Sequence, residues 1–99
     1  MAKKILHTRD ALSERELVEV KIWEVPKSED FPEGLKYSFV YIKDGERILG
    51  YDNERGKSHH RHFKGKETNL EFESIWKLLE KFKKEVQELS KNSLPDLKR

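Results

Sequence analysis

The sequence predicts an α+β fold: an antiparallel meander of four or five strands with one long C-terminal helix packed on one face. Three observations carry this. Leu17 to Val25, LVEVKIWEV, alternates apolar and charged residues, as a strand with one buried face does. Asp44-Gly45 sits between two further strand-like runs, a strong short-range hairpin signal. Ile75, Leu78, Leu79, Phe82, Val86 and Leu89 recur at helical spacing and form one apolar stripe. The 99 residues suit a single domain, 1–99, with a core over about 4–90 and a frayed tail over 91–99.

The elements follow in chain order. Lys4 to Thr8 is a short extended piece. In the first clear strand Val18, Val20 and Ile22 point one way and Glu19 and Lys21 the other; Pro26 ends it, because proline cannot donate to a ladder. Lys27 to Gly34 is an exposed connection. Tyr37 to Ile42 is rich in aromatic and β-branched residues and reads as a central strand. Arg47 to Asp52 is its hairpin partner. His59 to Lys64 continues as another strand, Gly65-Lys66 is a turn, and Leu70 to Phe72 is a last short strand. Ser74 stands where a helix N-cap should, and Asn92 and Pro95 mark the helix end.

Charged residues make up 40% of the chain, yet 21 Lys+Arg against 19 Asp+Glu leave a net charge of only +2. Total charge therefore does not mark a nucleic-acid binder. The distribution is more telling: Arg55 to Lys66 holds five basic residues and three histidines with no acid. The absence of cysteine excludes disulfides, thiolate catalysis and Cys-ligated zinc. No apolar run approaches the about 20 residues that cross a bilayer, and MAKKILHTRD has no apolar region after its lysines. These features predict a cytoplasmic protein without a membrane partner.

The chemically loaded segment is Gly50 to His62, GYDNERGKSHHRH. On a strand, His60 and His62 share one face while His59 and Arg61 share the other. Metal-free cleavage of RNA suits these residues. Histidine serves as base for the 2′-hydroxyl and acid for the leaving oxygen near neutral pH. Arg61 and Lys57 would stabilise phosphate charge, Asp52 would orient a histidine, and Tyr51 and Tyr41 would stack a base. A second use is a metal site, with His60 and His62 joined by Asp52 or Glu67; the adjacent Arg and Lys disfavour it. The plain alternative is a solvated basic loop.

The string GYDNERGKSHHRH follows a hairpin and precedes Lys-Gly-Lys-Glu, a Phe-Glu-Ser helix start and LLEKF. This arrangement resembles the TumE-like toxin family of type II toxin–antitoxin systems, and VKIWEVP upstream is similar to that family's first half. The similarity covers about Lys4 to Leu89. The matching positions are Gly50, Tyr51, Asp52, Asn53, Gly56, Lys57, His59, His60, Arg61 and His62, with Ser58 at a small or polar position. The resemblance implies the toxin half of a pair, with a small helix-turn-helix antitoxin as partner.

The combined expectation is a toxin acting as a metal-independent ribonuclease. His60, His62, His59 and Asp52 are the catalytic candidates. Lys57, Arg61, Tyr51 and Asn53 are the substrate-binding candidates. No cofactor and no metal are expected. The competing expectation is a non-enzymatic protein that blocks a target or pairs with an antitoxin without chemistry.

Overall fold

The computed structural model describes residues 2–54 and 58–91. Six strands run β1 (Lys3–Ser13), β2 (Glu16–Glu24), β3 (Leu35–Lys43), β4 (Glu46–Asp52), β5 (His60–Phe63) and β6 (Lys66–Asn69), followed by helix α1 (Ile75–Lys91). The strands form one antiparallel sheet in chain order, a pure meander. Fold class, order and the single helix match the sequence expectation; the strand count is six rather than four or five. β1 extends well past Thr8, although its outer half, RDALS, lacks an apolar alternation. β6 lies at Lys66–Asn69 rather than Leu70–Phe72, and every residue in it is exposed. It is built by its turn and ladder, not by burial.

One sheet face makes the core. Val18, Val20 and Ile22 of β2 oppose Tyr41, Phe39 and Tyr37 of β3, and Phe39 and Tyr41 oppose Tyr51 and Leu49 of β4. All of them are buried, so the period-two pattern has become a continuous apolar layer. Helix α1 covers it with Ile75, Leu78, Leu79, Phe82 and Val86. Phe82 is the central plug, its ring 5.5 Å from Phe39 and edge-on to Tyr51 at 5.0 Å. Ser74 caps the helix: its hydroxyl accepts from the Lys77 N–H at 3.2 Å. At the other end the buried Glu16 carboxylate accepts from Tyr41, Ser90 and Ser13. It ties the last helical turn to the start of β2 and the end of β3.

Two of the three two-residue hairpin turns among the described residues have positive φ at each position: Asp44 and Gly45, and Lys64 and Gly65. Arg15 reinforces the first turn, donating from Nε to Asp44 Oδ1 at 2.6 Å. The second turn is Lys64-Gly65, one residue before the expected position. It starts β6 at Lys66 and sets Glu67 opposite His62. The expected helix-end signals at Asn92 and Pro95, and the tail beyond them, lie outside the described residues.

Candidate functional site

The site begins with the ladder between β4 and β5. Its register pairs Asp52 with His60, Tyr51 with Arg61 and Gly50 with His62. Successive side chains alternate, and Tyr51 belongs to the covered face. Asp52, His60 and His62 therefore stand together on the open face, joined across the next ladder by Glu67. Rigid, ladder-paired backbone carries all four residues.

On that face the Asp52 carboxylate lies against both imidazoles. Oδ1 is 3.6 Å from His60 Nε2, and Oδ2 is 3.7 Å from His62 Nε2. Both distances exceed hydrogen-bond length. The two rings stand edge to face with centroids 5.2 Å apart. His60 is only 2% exposed although it faces the uncovered side of the sheet. Glu67 Oε2 comes within 3.0 Å of its Nε2, but out of line for a hydrogen bond, so Nε2 is a buried polar atom without a hydrogen-bond partner. Asp52 Oδ1 is in the same condition. Buried polar atoms without a partner are rare, and each calls for an explanation such as a catalytic role or a bound ion or water; Glu33 Oε1, beside His59, is a third.

The covered face holds a different group. Arg61 grips Glu85 of α1, with Nε donating to Oε1 at 3.0 Å and a second nitrogen donating to Oε2. The Tyr51 hydroxyl also donates to Glu85. Burial would push the Glu85 carboxyl up, but the hydrogen bonds from Arg61 and Tyr51 outweigh it and hold its pKa below the ordinary range. Burial, and then Glu85 itself, push the Tyr51 phenol well above its ordinary value. Arg61, expected as a phosphate contact, is thus engaged under the helix. Tyr51 and Tyr41, expected as stacking platforms, are both buried in the core.

His59 and Asn53 sit at the end of the sheet. His59 is buried, stacked on Phe72 at 4.4 Å and facing Tyr37 at 5.7 Å. Burial, with the Asp52 and Glu33 charges adding to it, keeps the Tyr37 phenol protonated far above its ordinary range. His59 Nε2 lies 3.0 Å from a Glu33 carboxylate oxygen, which can only accept, so in the neutral imidazole Nε2–H donates there and Nδ1 accepts from the Tyr37 hydroxyl at 2.9 Å. Asn53 closes the loop after β4, accepting from the Tyr37 N–H and donating to the Leu35 carbonyl. These contacts hold the chain's turn into β5. They also wall a shallow groove lined by Glu29, Asp30, Pro32, Glu33 and Ser58. Lys57 lies outside the described residues.

One residue without a role in the sequence expectation joins the open face. A bulge in the β3–β4 ladder lets Arg47 pair with Ile42. Its side chain lies across Gly50, within 3.4 Å of where a Cβ would stand there. Gly50 is the register partner of His62, so Arg47 reaches the flank of the cluster over a position that has no side chain. The signal in the sequence was Gly50 itself, since glycine inside a strand marks a close approach.

The family model for the toxin TumE matches residues 2–90 of this chain. No curated protein matches it, and neither does any solved structure. The match spans nearly the whole described structure, so the chain belongs to the TumE toxin family.

Proposed function

We propose that this member of the TumE toxin family is the cytoplasmic toxin half of a type II pair and cleaves RNA at the Asp52–His60–His62 cluster. The observation that supports it most is the pair of buried, hydrogen-bond-orphaned atoms, His60 Nε2 and Asp52 Oδ1, held beside a second histidine on the uncovered face. A core histidine with a purely structural role would be satisfied, as His59 is.

In the proposed reaction one imidazole accepts the 2′-hydroxyl proton as that oxygen attacks phosphorus. The other, as imidazolium, gives its proton to the departing 5′-oxygen. The products are a 2′,3′-cyclic phosphate and a 5′-hydroxyl, and no metal enters the balance. Two rings 5.2 Å apart can bracket one phosphodiester. The Asp52 carboxylate, 3.6 and 3.7 Å from the two imidazoles, favours the imidazolium form by its charge, and Arg47 supplies charge to the phosphorane. Lys21 and Lys36 fall on the same face by strand alternation and suit a phosphate backbone. Lys57 retains its proposed phosphate contact. The partner is a helix-turn-helix antitoxin, and the long exposed edge of β1 offers it an unpaired strand. No helix of the described residues is long and apolar enough to cross a membrane.

The test is RNA integrity and growth after induction of the wild type, His60→Gln and His62→Ala, with circular dichroism and thermal melts to establish folding. Loss of RNA cleavage and growth inhibition in folded variants is expected. A folded His62→Ala protein that still arrests growth would sink the acid–base proposal and favour a toxin that acts by binding alone. In vitro, cleavage should persist in a chelator; a chelator that abolishes it overturns the metal-free balance.

A further inference from the structure

The open-face cluster also has the form of a cation site. We propose that Asp52, His60 and His62 bind one divalent transition ion of the zinc type. One ligand atom from each of the three residues lies within 4.8 Å of the others. The Asp52 oxygens stand 3.6 and 3.7 Å from the two imidazole nitrogens. Those gaps are too long for hydrogen bonds. They are close to the edge of a tetrahedron around zinc, about 3.4 Å for bonds near 2.1 Å. A small inward rotation of the side chains suffices.

The donor set selects the ion class. Two imidazoles and a carboxylate suit zinc and its neighbours, whereas magnesium and calcium demand all-oxygen shells. The second, independent observation is burial. His60 has a side chain only 3% exposed, and its Nε2 points into the cluster without a hydrogen-bond partner. Backbone rigidity contributes as well, because the Asp52–His60 register and the two-residue step to His62 fix all three ligands on one sheet face. The basic neighbours weigh less than their sequence positions suggest. Arg61 faces the other way and is held by Glu85. Glu67 adds a negative charge 3.0 Å from His60. Among the described residues, Arg47, lying over Gly50, opposes the ion from close by.

Binding does not depend on the RNA reaction; its consequence for activity rests on that reading. A bound ion occupies the nitrogens that proton transfer needs, so the ion-bound protein is the inactive form.

The experiment is titration of the untagged, EDTA-treated chain with Zn2+ by calorimetry and with Co2+ by visible absorption, together with melts and RNA cleavage in the same samples. One equivalent should bind the wild type and raise its melting temperature. Asp52→Asn and His62→Gln should each bind at least about 10-fold more weakly, while His7→Gln, on distant β1, should bind as the wild type does. Absence of saturable one-equivalent binding overturns the site, as does binding that Asp52→Asn and His62→Gln leave unchanged. Zn2+ binding in a protein that cleaves no RNA even when metal-free sinks the ribonuclease proposal and leaves the site standing. Cleavage that is stimulated by Zn2+ overturns both the inactive-form assignment and the metal-free balance, and leaves the site standing.

Discussion

Replacing Arg61 with methionine tests how the two sheet faces divide their work. The side chains of Arg61 and Glu85 are 27% and 28% exposed, between the surface case and the buried one. Exposed pairs contribute about 0–1 kcal/mol, and breaking a fully buried pair costs about 3–5 kcal/mol. The contact is bidentate and Tyr51 donates to the same carboxylate, so Arg61→Met should cost about 2 kcal/mol. In a domain of this size that lowers the melting temperature by about 8–16 °C. A double-mutant cycle with Glu85→Gln should return a coupling of about 1–2 kcal/mol. The coupling also carries a pH signature. Glu85 has a folded pKa below its ordinary value of 4.5. Its contribution is therefore complete above that value and disappears as pH falls through the depressed folded value. Denaturant melts of wild type and variant should accordingly converge at acid pH. The opposite pattern refutes the assignment: a variant that melts within about 2 °C of wild type but has lost all toxicity would place Arg61 at the reaction centre.

Two further perturbations separate fold from chemistry. Phe82→Ala empties the space between Phe39 and Tyr51 and should cost about 3–5 kcal/mol, read from urea melts. Tyr37→Phe removes the donor to His59 Nδ1. It should cost about 1–2 kcal/mol of stability in the same melts and leave growth inhibition intact, because His59 and Tyr37 pack away from His60 and His62.

The elements legible in the sequence are those whose burial is one-sided. LVEVKIWEV and the stripe on α1 each face solvent on one side, so their periods survive in the residue order. Asp44-Gly45 was legible because its turn needs positive φ at both positions. KETN gives no such pattern. Strand β6 exists because Lys64-Gly65 turns the chain back against β5 and the ladder supplies its hydrogen bonds. Strand β1 extends to Ser13 for the same reason, pairing along the length of β2 with Ile5 and Leu12 left exposed. Periodicity detects burial, and neither edge strand is buried.

At the candidate site, alternation alone separated His60 and His62 from Arg61. It could not say which set the helix would cover, because that depends on a residue 24 positions away from Arg61. Glu85 gives the covered face a carboxylate, and the β4–β5 register places Arg61 beneath it. The run from Arg55 to Lys66 is basic as a string, but the fold divides it. Arg61 is neutralised under the helix, while the open face gathers Asp52 and Glu67 around His60. A segment that looks like a phosphate-binding loop in one dimension becomes, in three, two imidazoles between two carboxylates with Arg47 at the flank. That rearrangement of charge underlies both roles proposed for the cluster, proton transfer and cation binding, and it makes metal titration the measurement that separates the two.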